Sequence, residues 1–277
     1  IADGIASVDY LPNDLCPVLK TEPVTINLYL TPSVLITQDI ATAADVYTVS
    51  FYGTGTITFS GSFVGSLVGT GTNERVQLTF TATAGTLTST VVGSVTDANA
   101  ENKEYATSFI VGTRQADEVT GAEASFNDTE GIMQVNIAAL SDDLSFREMS
   151  VNSGVSSERA GIRYLNSSNS VNGTIVAGGV EVASFTYEIP DITVLTYVQL
   201  LWNGTYAALK VNGVQVEESF TSVAPTGLST CSLTSGGGAE NFYGYTKEIN
   251  VYDNTDTFAS TFTTFNAMAD FAQYNQQ

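Results

Sequence analysis

The chain has 277 residues, with 9 Lys plus Arg against 29 Asp plus Glu, a formal net charge of −20, no histidine and two cysteines. Nucleic acid is a poor partner for such a chain, because binding phosphates needs Lys and Arg to displace counterions, and an anionic membrane surface is disfavoured on the same ground. The missing histidine removes Ser-His-Asp and Cys-His catalysis, His-ligated zinc and the usual general base near neutral pH.

Cys16 and Cys231 lie far apart in sequence, too few for a disulfide framework or a zinc site, and read as small buried or half-buried apolar residues. No apolar run reaches the ~18 to 20 residues of a membrane span. An opening on Ile1 without a basic-then-apolar leader reads as a processed chain or part of a longer one. Charged residues make up only 14%, and the abundance of Thr and Gly favours strands and turns over helices.

From Tyr47 to Thr96 apolar and polar residues alternate in runs bounded by glycine: Tyr47 to Phe51, Thr56 to Phe59, Val76 to Phe80 and Thr86 to Thr88. Period two predicts half-buried antiparallel strands, with Gly53, Gly55, Gly69 and Gly71 at turns or bulges. Neither Gly-Thr-Gly opens a helix or precedes a Lys, so neither is a phosphate loop. Residues 97 to 118 lose the alternation and read as polar connection, apart from a closing strand at Thr107 to Val111. The first unit is expected to end near Gly112.

Strands resume at Gly131 to Ile137, Phe146 to Val151, Arg159 to Leu165, Ser170 to Ala177, Val180 to Tyr187, Tyr197 to Trp202, Tyr206 to Val211 and Tyr243 to Tyr252. Asn203-Gly204, Asn212-Gly213 and Gly178-Gly179 are hairpin signals between them. So many short strands at this spacing predict a two-sheet sandwich. After Asp256 the spacing of Phe258, Phe262, Phe265, Met268 and Phe271 predicts one apolar helix face.

Three stretches resemble bacteriophage tail and fibre proteins. The opening Val8-Asp9-Tyr10, Cys16-Pro17-Val18-Leu19, Glu22-Pro23 and Asn27-Leu28-Tyr29-Leu30 is similar to a phrase recurring there, with Val24-Thr25-Ile26 in place of its polar, basic centre. Tyr47 to Thr96 with Tyr105-Ala106-Thr107-Ser108-Phe109-Ile110 resembles their carbohydrate-binding-module-like jelly rolls. Glu130-Gly131 through Val211-Asn212-Gly213-Val214 to Phe242-Tyr243-Gly244 resembles the concanavalin A-like or laminin G-like domain that follows.

The resemblance implies an all-β chain of two tandem antiparallel β-sandwiches, jelly-roll-like over 1–112 and laminin G-like over 113–257, with a short C-terminal helix over 258–277. It implies a non-enzymatic virion fibre or particle-surface protein, assembled in the bacterial host cytoplasm, homotrimeric, and binding host cell-surface polysaccharide or other virion proteins. A purely structural decoration or connector protein is the alternative. A secreted bacterial glycan-binding or polysaccharide-degrading protein is a second one.

Sugar binding needs aromatic faces with amides or carboxylates beside them. Trp202, Tyr206, Tyr243 and Tyr245 are the candidate faces, with Asn203 and Asn241 beside them, although Val198, Leu200 and Trp202 alternate as one sheet face and favour a core role for the tryptophan. Glycoside hydrolysis on such a sandwich needs paired carboxylates. The only pair two residues apart that is led by an aspartate is Asp128-Thr129-Glu130, which reads as a turn, and no catalytic residue is assigned. Calcium is the one cofactor the laminin G-like resemblance admits, with Asp142, Asp143, Asp253 and Asp256 as the acidic loop residues.

Overall fold

The computed structural model describes residues 6–10, 16–117, 119, 121–220, 223–253 and 263–265. Its described part is all-β, built from antiparallel strands in two compact units. Among the described residues the first unit is Glu22–Asp117, and the second takes in the segments before Glu22 and after Asp117.

The first unit packs a four-stranded sheet, Gln38–Thr42, Gly85–Val92, Thr56–Gly61 and Gly65–Val68 in spatial order, against a three-stranded one, Thr96–Glu101, Asp45–Gly53 and Gly71–Ala82. The alternation seen in sequence delivers Val49, Phe51, Ile57, Phe59, Phe80, Leu87 and Ala98 to one core. Phe63 closes one end of that core, its ring stacked 4.0 Å from that of Phe80. Gly53 has φ +130° and a Cβ there would lie 2.2 Å from the Ser94 carbonyl oxygen, so close backbone approach requires glycine.

One prediction fails in this unit. Thr107 to Val111 is not a strand; the strand is Thr96–Glu101, which the loss of apolar alternation disguised. Asn99 and Glu101 are fully buried because segment 107–110 hydrogen-bonds to them. Thr107 donates its N–H to Glu101 at 3.0 Å and its hydroxyl to the same carboxylate, and the Ile110 N–H reaches the Asn99 amide oxygen at 3.3 Å.

The second unit is a sandwich of an eight-stranded and a six-stranded sheet. The larger runs Ser7–Tyr10, Pro17–Thr21, Gly244–Tyr252, Glu130–Ala139, Thr196–Asn203, Tyr206–Val211 and Val214–Ser219, with Thr263–Phe265 also paired to Gly244–Tyr252. The smaller runs Ala122–Glu123, Thr230–Ser232, Arg147–Asn152, Arg159–Tyr164, Ser170–Ala177 and Val180–Glu188. Met133, Val135, Ile137, Met149, Val151, Ile162, Tyr164, Leu200, Trp202, Leu209 and Ile249 fill the space between them. Asn212 and Gly213 both take positive φ, 51° and 81°, as the two-residue hairpin joining Val211 to Val214 demands.

Two boundaries differ from expectation. The expected first domain, 1–112, gives up Ser7–Tyr10 and Pro17–Thr21, which pair as strands beside Gly244–Tyr252 in the second unit. The predicted helical tail, 258–277, is described only at 263–265, where the chain is a strand paired with Val251 to Ile249; the rest of it lies outside the described residues. Thr263, Thr264 and Phe265 are strand-favouring types, which compete with the three-and-four spacing.

Candidate functional site

The six-stranded sheet has an inner face that joins the core and an outer face that is polar and largely buried. In Arg147–Asn152 the side chains of Met149 and Val151 enter the core, so those of Glu148, Ser150 and Asn152 point outward. Register carries this face across the neighbouring strands: Glu148 lies opposite Arg163, Arg163 opposite Asn172, and Asn172 opposite Thr186. The next row is Ser150, Gly161, Thr174 and Ser184.

Arg163 stands at the centre. Its Nε donates to Asn172 Oδ1 at 2.8 Å, its Nη2 donates to Glu181 Oε2 at 3.0 Å, and its Nη1 is 3.8 Å from Glu148 Oε2. Asn172 is itself fixed, its amide donating to Ser184 Oγ at 3.2 Å and Thr186 Oγ1 at 3.0 Å. Thr174 donates to Glu181 at 2.8 Å, and Arg159 Nε donates to Glu148 Oε1 at 2.7 Å.

Segment 234–241 walls one side. Ser150 donates its hydroxyl to the Thr234 carbonyl at 2.7 Å, the Glu148 N–H bonds the Glu240 carbonyl at 2.9 Å, and Glu148 bridges Asn241 in parallel. Ser235 closes a turn on Ala239 through its N–H and its hydroxyl, both at 3.0 Å, so the Ser-Gly-Gly-Gly run forms a hydrogen-bonded turn.

Burial under this wall pushes the Glu148 carboxyl up to about 7, with Arg159 and Arg163 opposing the rise and Glu240 adding to it. Burial also acts to raise Glu181, but hydrogen bonds from Thr174 and Ser184 and the charge of Arg163 outweigh it and hold that carboxyl below its ordinary range. The far side of the face is open. Phe146 is 41% exposed with its ring centre 6.0 Å from the Arg163 guanidinium, and Glu181, Ser184 and Thr186 are exposed. An apolar ring thus borders a fixed guanidinium, an amide and hydroxyls.

The sequence-predicted residues do not converge on one place. Trp202 is 1% exposed in the core with its ring over Gly131, where a Cβ would lie 2.5 Å from it. Asn203 uses its amide oxygen on the Thr205 N–H and hydroxyl, 2.9 and 3.1 Å. Tyr206 donates to Glu218 at 2.8 Å and packs its ring 5.2 Å from that of Phe220. Tyr245 lies under the Lys20 ammonium, 5.9 Å from its ring centre. Asn241 alone of the six bridges the polar face directly, through Glu148, and it donates to the Tyr243 hydroxyl at 3.0 Å.

The acidic loop residues serve local structure. Asp142 accepts from the Ser168 hydroxyl and the Asn169 N–H, and Asp143 from Arg147 and the Ser145 N–H. Asp253 is exposed with its backbone carbonyl accepting from Asn127, and Asp256 lies outside the described residues. No cluster of three acidic or thiol groups that could hold a metal occurs among the described residues. Asp128 accepts the N–H groups of Gly227 and Leu228, both at 2.7 Å, which is a turn-fixing role.

Sequence reasoning missed Phe146, Glu148, Arg159, Arg163, Asn172 and Glu181. A signal was present: three of the nine basic residues, Arg147, Arg159 and Arg163, fall within one pair of strands.

No family model matches the chain, and no curated protein matches it. Similar solved structures include the CBM40 of Ruminococcus gnavus IT-sialidase bound to α2,3-sialyllactose, 15% identical over 50% of this chain and 92% of that one, with a TM-score of 0.38. A prokaryotic β-1,3-1,4-glucanase (lichenase) from a mouse hindgut metagenome is 12% identical over 51% of this chain and 70% of that one, TM-score 0.34. Domains LG4-5 of the mouse laminin α1 chain are 8% identical over 89% and 91%, TM-score 0.35. Likenesses of this size carry no argument about what this chain binds.

Proposed function

We propose that the protein is a non-enzymatic binding module which presents the outer face of its six-stranded sheet to glycans of a host cell surface. The observation that carries this reading is Arg163, fixed by Asn172 and Glu181 beside the exposed ring of Phe146. A pyranose offers an apolar face of C–H groups to an aromatic ring and a rim of hydroxyls to side chains whose geometry is already set. The finer part, a bacteriophage fibre or particle-surface protein that acts as a homotrimer, rests on the resemblance of the opening phrase and of the order of parts.

A second reading, a virion connector that touches only other virion proteins, is favoured by exposed apolar residues of the first unit, Leu30, Val34, Ile36 and Val92 among them. Labelled intact protein, incubated with bacterial strains and isolated surface polysaccharides with and without calcium, separates the two. Saturable binding that falls at least tenfold in Phe146→Ala supports the glycan reading. A folded protein that binds none of them overturns it in favour of the connector, and release of reducing sugar overturns the non-enzymatic part. A solution mass other than three times 29.2 kDa overturns the trimer.

A further inference from the structure

We infer that the outer face of the six-stranded sheet takes an uncharged, hydroxyl-rich glycan and rejects glycans bearing carboxylates, an inference that rests on the proposed binding face. Two arginines on a ligand face would ordinarily suggest an acidic ligand, because a guanidinium holds a carboxylate through paired N–H donors. Here the protein's own carboxylates already sit against both guanidinium groups. Arg163 Nε and Nη2 donate to Asn172 and Glu181, while Nη1 lies 3.8 Å from Glu148 Oε2, an ion-pair distance beyond hydrogen-bond reach. Arg159 is held between Glu148 and the Ser156 carbonyl.

Charge points the same way. Arg159 and Arg163 are the cations of this face, and Glu148, Glu181 and Glu240 lie on or beside it, in a chain of net charge −20. An incoming carboxylate would share a guanidinium whose charge Glu148 and Glu181 already offset and would stand beside both of them, a repulsion that the new contact could at best cancel. A neutral hydroxyl meets no such exchange. It can accept from a remaining guanidinium hydrogen or from Thr186, whose hydroxyl accepts from Asn172 and keeps its own proton to donate, and it can donate to the exposed carboxylate of Glu181.

The test uses the intact protein and one surface polysaccharide that contains uronic or sialic acid, in native form and after its carboxyl groups are chemically reduced to alcohols. A neutral polysaccharide serves as a third probe, and each titration is run at 50 and 500 mM NaCl. The expected result is binding to the neutral and carboxyl-reduced polymers at least tenfold tighter than to the native acidic one, changing less than threefold with salt, and lost at least tenfold in Phe146→Ala. Glu181→Gln, which removes one carboxylate charge beside Arg163, should narrow the difference between acidic and reduced forms.

Preference for the acidic form, lost on reduction and weakened by salt, overturns the inference while leaving the glycan-binding reading intact. Neutral binding that persists undiminished in Phe146→Ala places the ligand elsewhere and overturns both. Binding to none of the three overturns the reading on which the inference rests.

Discussion

The Glu148 carboxylate occupies the space that a side chain at residue 161 would need: a Cβ built on Gly161 would lie 2.2 Å from Glu148 Oε1. Glu148 crosses from its own strand over Gly161 to reach Arg159, two residues along the neighbouring strand. Gly161→Ala therefore forces the carboxylate off Arg159. The expected cost is about 1 to 2 kcal/mol, the strain of overpacking, about 1 to 3 kcal/mol, exceeding the roughly 0.5 to 1 kcal/mol that alanine gains over glycine in a strand. Because the conflict is between these two side chains, Gly161→Ala made on Glu148→Ala should cost less than on the wild type by about 1 kcal/mol in a denaturant double-mutant cycle. Additive costs would show that the two residues do not share the space.

Glu148 also sets a pH dependence. Its carboxyl is raised in the folded protein from the usual 4.5 to about 7, by burial that the charges of Arg159 and Arg163 offset only in part and that Glu240 reinforces. The folded state then binds a proton more readily than the unfolded one between those values. The contribution to stability is complete below pH 4.5 and is lost as pH rises through 7, to a limit of about 3 kcal/mol. Glu181, shifted the other way, acts only below its ordinary value and so outside this window. Melting temperature followed by Trp202 fluorescence should be higher at pH 5.5 than at pH 8.5, and Glu148→Gln should flatten the difference. An unchanged slope in that variant would assign the dependence to other groups.

Much of the second sandwich was legible because its strands are regular. The runs expected from Gly131 to Val211 lie within one or two residues of the observed strands, and Asn212-Gly213 makes its predicted turn with both residues at positive φ. The binding face was not legible, for a physical reason. Alternation tells which residues share a face, and it treats the polar set as solvent-facing, yet Glu148, Ser150, Asn152 and Asn172 are buried on the side away from the core. What buries the first three includes segment 234–241, brought in from more than eighty residues away, and no local pattern announces such a cover. Thr96–Glu101 was hidden by the same effect, since its polar residues find partners at 107–110.

The first unit contains its own buried charge cluster, and its weak point is the arginine. Arg114, 4% exposed, pairs with the fully buried Glu22 and with Asp117 at 2.5 Å. The two acids are also tied backbone to backbone, Asp117 N–H to the Glu22 carbonyl at 2.8 Å, and Glu22 accepts the Ser108 N–H at 2.8 Å. Arg114→Leu removes the guanidinium that pairs with both acids and leaves two carboxylates in a low-dielectric site. A loss of about 3 to 5 kcal/mol is expected, read as a lower denaturant midpoint in far-UV circular dichroism. The triple change that also makes Glu22→Gln and Asp117→Asn should recover at least half of it; failure to recover would mean that packing, not unpaired charge, sets the cost.

Trp202 is the single tryptophan of the chain, so its emission reports on one site. Its ring is enclosed by the core and fits because residue 131 is glycine, while its indole N–H has no hydrogen-bond partner among the described residues. Trp202→Ala opens a cavity of indole size and should cost about 3 to 5 kcal/mol. Trp202→Phe should cost about 1 to 2 kcal/mol, because part of its volume loss is offset by removing an unsatisfied donor. The same enclosure predicts blue-shifted native emission that acrylamide quenches weakly, and no change in that emission when a glycan saturates the face around Phe146. A ligand-induced shift, or strong quenching of the folded protein, would instead make Trp202 part of the binding surface that its neighbours in sequence first suggested.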